Sequence, residues 1–302
     1  MEDAFEQNLI SYLEDELSHC ANYDSFLEGL EKKYNTDELP LAYNYILNNK
    51  KDAALLNKTI KKINKFKYKN NLNCLIDFIL KTPDVDLKVM AIKTISGYQD
   101  KTAVSALMYC LNDKNSNYKV RLASAEALGK IGDRTAFEPL TNIVCDENEN
   151  SAYVKESAVT ALGMLGDERA LDVFDFILGT KQMFLDKFSY LKERIVEAMS
   201  KFDISKDERA IKILKQSLMD INPHLRIAAI ETISNSEFDF AYDLIKERLD
   251  NDDDIEVRKN ALIALYNISD RDILDYVIKN DYPEEIKECA IEIIREYEEN
   301  DE

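Results

Sequence analysis

Residues 118–144 read YKVRLASAEALGKIGDRTAFEPLTNIV, and residues 153–178 read YVKESAVTALGMLGDERALDVFDFIL. The second segment repeats the first at a spacing of 34, setting Val154 over Val120, Leu162 over Leu128, Gly163 over Gly129 and Asp167 over Asp133. Self-similarity at a period of roughly 20–50 residues marks a stacked-repeat architecture. In the first copy Val120, Ser124, Ala125, Ala127 and Leu128 share one face of a 3.6-residue helix, and their small side chains let a neighbouring helix approach closely. Gly129 and Gly132 with Asp133 then end the helix and turn the chain. A second helix follows, with Ala136, Phe137, Leu140, Ile143 and Val144 on one face. Each copy is thus a helical hairpin that covers its apolar faces only by stacking on its neighbours.

The signature, an aliphatic residue followed by Lys or Arg and then small and aliphatic residues at helical spacing, recurs with decay. It starts at Leu87, Val120, Val154, Leu191, Leu225, Val257 and Ile286, at spacings of 33, 34, 37, 34, 32 and 29. These residues resemble the HEAT-like repeats of the phycobilisome-lyase type, over roughly residues 85–297. The resemblance implies an all-α fold: an α-solenoid, wound as a right-handed superhelix, of about seven to eight HEAT-like hairpins with a helical N-terminal cap. It implies an internal ladder as well, in which an Asp before the first helix or in the hairpin turn pairs with the basic residue of a neighbouring repeat. Arg121, Arg226 and Arg258 match that basic position. Lys88, Lys155, Lys192 and Lys287 replace it, and lysine lacks the planar fork, so the ladder is expected to be weaker there.

Three parts follow: a cap with a degenerate repeat over 1–84, the solenoid over 85–297 and an acidic tail over 298–302 expected to fray. Only 7 glycines and 5 prolines in 302 residues fit one continuous helical array. No apolar run approaches the ~18 residues of a membrane span, and the acidic start MEDAFEQNLISYLEDE does not read as a targeting peptide. Five scattered cysteines without CxxC pairs point to reduced thiols and a cytoplasmic location. A net charge of −19 disfavours nucleic acid and anionic membranes and leaves another protein, with a basic surface, as the expected partner.

No catalytic, cofactor-binding or metal-ligating residue is assigned. The two histidines, His19 and His224, lie far apart in sequence, and no Gly-rich phosphate loop appears. The expected function is a non-enzymatic protein-binding scaffold, assembly factor or regulator. The resemblance alone adds the alternative of a subunit of a phycobilin-lyase-like or cofactor-attachment enzyme.

Second helices line the concave face of a solenoid, so their non-core positions are the expected partner contacts: Tyr109, Asn142, Asp175, Phe176 and Gln216. Tyr109 and Phe176 are the anchor candidates, with core packing the competing reading for Phe176. Phe184, in the longer connection 179–189, is a candidate protrusion. Residues 50–69 hold eight lysines against Asp52, making this stretch +7 and the remainder −26. Lys58, Lys61, Lys62, Lys65 and Lys69 are placed on one helix face, either a basic patch centred on Lys61, Lys62 and Lys65 or a solvated outer face. The acidic stretches 145–151 and 250–254 read as inter-repeat turns, the first as plain solvent loop.

Overall fold

The computed structural model describes residues 2–179, 189–203, 207–236, 240–269 and 272–300, and among them every regular element is helical. Residues 1–84 hold α1 (Glu2–Ser18), α2 (Tyr23–Lys33), α3 (Leu39–Asn49), α4 (Ala53–Phe66) and α5 (Leu72–Lys81). Then come α6 (Val85–Ser96), α7 (Val104–Asn112), α8 (Tyr118–Ile131), α9 (Phe137–Cys145), α10 (Ala152–Leu165) and α11 (Arg169–Gly179). The remainder is α12 (Ser189–Met199), α13 (Glu208–Ser217), α14 (Pro223–Ser234), α15 (Ala241–Asn251), α16 (Ile255–Ser269), α17 (Asp272–Lys279) and α18 (Glu284–Asn300).

This is an α-solenoid of helical hairpins, and its contacts fall into two compact units, Met1–Ala161 and Leu162–Glu302. In the first unit α2, α4, α6 and α8 pack in one row and α1, α3, α5 and α7 in the other. In the second unit α12, α14, α16 and α18 form a row, and α11 packs on α13. First helices therefore meet first helices and second helices meet second, as stacked hairpins require.

The periodic residues are the core. Val120, Ser124, Ala125, Ala127 and Leu128 are all buried on α8, as are Leu225, Ala229, Ile230, Thr232 and Ile233 on α14. On α18 Ile286 and Ala290 are buried but Ile291 is exposed, because no later helix among the described residues covers that face. Near the N-terminus the aromatic residues pack inward. Tyr43 is fully buried, Phe26 is buried, and Tyr34 takes Phe5 and Tyr12 edge-on at 6.4 and 6.1 Å.

Two glycine roles separate here. Gly132 (φ 71) and Gly166 (φ 59) adopt the left-handed conformation that ends α8 and α10. Gly129 and Gly163, expected to help stop the helix, instead lie buried inside it. A Cβ on Gly163 would come within 3.0 Å of both the Cβ and the carbonyl oxygen of Ala198 on α12. The carboxylates of the turn aspartates Asp100, Asp133, Asp167 and Asp207 accept the amide hydrogens of Thr102, Thr135, Arg169 and Arg209, capping the second helices. In Asp133 the Thr135 amide and hydroxyl hold the carboxyl below its ordinary range.

The ladder is built from both sides of each hairpin. Arg121 on α8 donates from Nε to the Leu111 carbonyl at the end of α7 (2.9 Å) and from Nη2 to Glu149 in the turn before α10. Both side chains are nearly inaccessible, 6% and 4% exposed. Burial pushes the Glu149 carboxyl up, but Arg121 and the Ser151 amide outweigh it and leave it below the usual range. The stretch 145–151 is therefore not plain solvent loop: Glu149 is its structural acceptor. Likewise Asp252, within the 250–254 tract, is buried against Arg226 at 2.7 Å.

Lysine occupies the same place in other repeats. Lys155 is buried and donates to the Val144 carbonyl (2.9 Å) at the end of α9, and Lys192 reaches Asp220 at 3.1 Å. The Lys88 ammonium makes no hydrogen bond or ion pair among the described residues, although its charge helps lower the Asp113 carboxyl behind the Ser116 and Asn115 hydrogen bonds.

Arg121→Met strands a buried carboxylate and is expected to lower unfolding stability by about 3 kcal/mol, with Arg121→Met plus Glu149→Leu recovering most of it. Denaturant titration followed by far-ultraviolet circular dichroism measures this, and a loss below about 0.5 kcal/mol for the single variant would refute the ladder's structural role. Gly163→Ala overpacks the α10–α12 approach and is expected to cost about 1–3 kcal/mol. Gly29→Ala on α2, where a Cβ meets nothing within 4 Å, stabilises by about 0.5–1 kcal/mol. Equal effects of the two substitutions in thermal melts would contradict the close approach.

Candidate functional site

Burying one face of each second helix turns the opposite face outward at a constant register. In the first unit that face holds Ser105 and Tyr109 on α7 and Glu138 and Asn142 on α9, all exposed. Tyr109 is 66% exposed. Its helix neighbours Leu107, Cys110 and Leu111 are buried, so packing inside the unit does not explain the ring.

In the second unit the equivalent positions are Asp172 and Phe176 on α11 and Lys212 and Gln216 on α13. Phe176 is 64% exposed, so the core-packing alternative is not the one adopted. Asp175 is half-buried and binds Lys212 through both carboxylate oxygens at 2.9–3.0 Å. Arg209 bridges Asp172 (2.8 Å) and Asp207 (2.6 Å), tying α11 to the start of α13. Hence the charged members of this row are largely paired, while Phe176 and Gln216 face solvent. Phe184 lies outside the described residues.

The lysine face belongs to a first helix, α4, and shares no element with this row. Lys62 pairs with Glu31 at 2.6 Å, Lys50 with Glu14 at 2.5 Å, and Lys58 with Asp24. The basic stretch is thus joined to acids of α1 and α2, closing the N-terminal hairpins. Lys61 and Lys65 remain exposed and make no ion pair among the described residues. Lys69 lies beyond the helix in a 3₁₀ turn, because Lys67 ends α4 in a left-handed conformation (φ 52).

Three exposed features escaped the periodic reading. Tyr118 and Tyr153, at the starts of α8 and α10, stack with ring centres 6.0 Å apart. Met219 and Ile221, 64% and 90% exposed, occupy the turn before α14. Tyr242 and Tyr276 face outward on α15 and α17. All but Tyr276 sit at a turn or a helix end, where hydrophobic periodicity carries no information about orientation.

No three His, Cys, Asp or Glu side chains among the described residues converge as a metal-holding group. The Cys74 thiol is pushed by burial up to about 11, and Cys110 is raised for the same reason, so neither supplies a thiolate at neutral pH.

Comparison with known proteins follows from this geometry. A family model described as HEAT repeats matches residues 72–150 and 114–183. Over 85 residues the chain is 36% identical to the phycocyanobilin lyase subunit alpha of Picosynechococcus sp., covering 26% of this chain and 31% of that relative. Residues 72–183 thus carry HEAT repeats, and the repeat signature is similar to that of the phycobilisome-lyase type. The label describes the repeat unit, and the match spans only about a third of the length of that curated relative. Among solved structures, a Kap121p mutant aligns with 94% of this HEAT-like protein and 37% of its own chain, at 10% identity and a TM-score of 0.57, a likeness of fold. The complex of CpcE and CpcF of phycocyanin lyase from Nostoc sp. aligns at 23% identity, 75% and 87% coverage and a TM-score of 0.45. No helix among the described residues is long and apolar enough to cross a membrane.

Lys62→Glu sets two carboxylates against each other where Lys62 now meets Glu31, and is expected to cost about 1 kcal/mol, whereas Lys61→Glu changes stability by less than about 0.5 kcal/mol. Urea titration of the two variants distinguishes a structural lysine from a solvated one; equal midpoints would contradict the assignment.

Proposed function

We propose that this HEAT-like protein works by binding another protein along the outward row of its second helices, as a scaffold, assembly factor or regulator. The observation that carries the reading is Tyr109: a large ring, 66% exposed, on a helix whose other face is packed in the core. Aromatic side chains contribute disproportionately to interfaces, and such a ring on a rigid helix loses little entropy on docking. Phe176, at the corresponding register of the second unit, adds a ring of the same kind. The net charge of −19 favours a partner with a basic surface, drawn in by long-range attraction.

A second reading, a subunit of a phycobilin-lyase-like or cofactor-attachment enzyme, is supported by the 36% identity over 85 residues to a phycocyanobilin lyase subunit. Incubating the purified chain with phycocyanobilin separates the readings: a shifted visible spectrum that survives gel filtration supports the second, and a spectrum identical to free pigment removes it.

For the first, tagged protein is to be recovered from native extract and its companions quantified by mass spectrometry. Wild type is expected to retain a near-stoichiometric protein that Tyr109→Glu loses by at least about tenfold, at unchanged melting temperature. Absence of any stoichiometric protein across several salt conditions, or equal retention by the variant, would overturn the proposal.

A further inference from the structure

The second unit contains a cleft whose chemistry is more specific than the row as a whole. Consecutive second helices α15 and α17 bury Ala241, Ile245 and Leu249 on one side and Ile273, Leu274 and Val277 on the other. Between their outer faces lies an open cleft of about 400 Å³, lined by Tyr242, Lys246, Ser269, Asp272, Ile273 and Tyr276. Tyr242 and Tyr276 are 38% and 47% exposed, so both rings are reachable from solvent.

The charges in the cleft are unequal. Lys246 is neutralised in place: its ammonium donates to both oxygens of Asp250 at 2.6 Å and to the Tyr282 hydroxyl at 3.0 Å. It also lies 5.1 Å from the centre of the Tyr276 ring, so that ring already serves as a cation platform. Asp272 is exposed and makes no ion pair among the described residues. It precedes Tyr276 by four residues on α17, which puts carboxylate and ring on the same helix face. Exposed Asp243 on α15 adds negative field nearby, whereas Asp275 on α17 is paired with Lys279 at 3.5 Å.

A carboxylate one turn from a tyrosine ring, in a cleft that a second tyrosine and Ile273 also line, suits a planar cation. A guanidinium can accept stacking on its face while its edge donates two parallel hydrogen bonds to one carboxylate. An ammonium, being a compact and strongly hydrated point charge, gains only part of this. We propose that the cleft between α15 and α17 receives an arginine side chain from a basic polypeptide partner. This rests on the protein-binding reading above and names the chemistry by which one section of the row selects its partner.

Fluorescence anisotropy on the full chain at physiological ionic strength tests the inference, using labelled Gly/Ser peptides that carry arginines, lysines or glutamates. The arginine peptide is expected to bind saturably and the lysine peptide about tenfold more weakly, with no binding of the glutamate peptide. Asp272→Asn and Tyr276→Ala are each expected to weaken the arginine peptide about tenfold. Asp86→Asn, which removes the same charge from an exposed position on α6, leaves it unchanged. Equal loss in Asp272→Asn and Asp86→Asn, equal affinity for the lysine peptide, or no saturable binding would overturn the assignment. If Tyr109→Glu loses its native partner while Asp272→Asn binds the arginine peptide as wild type does, only this inference fails. If Tyr109→Glu keeps its partner while Asp272→Asn loses the peptide, only the placement of the partner on the Tyr109 row fails.

Discussion

A cation buried between successive hairpins is the constraint on which the stacking depends. Each second helix ends in carbonyl groups without intrahelical partners, and its dipole leaves partial negative charge there. At the ends of α7, α9 and α15 one such carbonyl lies within reach of the following hairpin. Arg121 resolves this for Leu111, Lys155 for Val144 and Arg258 for Leu249, each from the start of the following first helix. Arg121 and Arg226 also donate into the next turn, to Glu149 and Asp252, and Lys192 reaches Asp220 in the same way. Such a pair gains little over apolar packing, because desolvation offsets the attraction. Its effect is on register: any stacking that separates Arg121 from Glu149 leaves a charge buried without its partner.

The ladder bends where another arginine competes for the same carbonyl. Arg248 donates to Leu218 at 3.4 Å and stands 3.6 Å from Asp252. Arg226 therefore turns its Nη1 onto the Asp220 and Ile221 carbonyls and its Nη2 onto Asp252 and Asp253. Its buried Nε is left without an acceptor. The turn pinned in this way is the one that projects Ile221 into solvent, so a local change in hydrogen bonding alters the surface the unit presents.

Function, on this reading, occupies the positions the core does not use. Stacking dictates one face of each second helix and leaves the other face chemically unconstrained. Tyr109, Phe176, Tyr242 and Tyr276 stand on those faces. The lysine-rich α4, chemically the most unusual stretch of the chain, turns largely to internal use, since Lys50, Lys58 and Lys62 pair with acids of α1 and α2. Charge density in a sequence thus marks a surface only when no opposite charge folds against it.

Periodicity alone determined the helical hairpins, their stacking and the core face of the repeats' first helices, because a residue recurring at one helix face must be buried or the hairpin has no stability. The turn aspartates were legible for a related reason: Asp133 and Asp167 recur at the one place where a new helix needs its amides capped. What only the tertiary structure decided concerns groups whose partner lies a repeat away. Glu149 and Asp252 sit 28 and 26 residues beyond the arginines they meet, inside stretches whose composition reads as solvent turn. Gly129 and Gly163 resemble helix stops in sequence, yet Gly163 is small because Ala198 of α12 lies against it. Single-helix patterns record which face is apolar; they do not record what another hairpin brings up to that face.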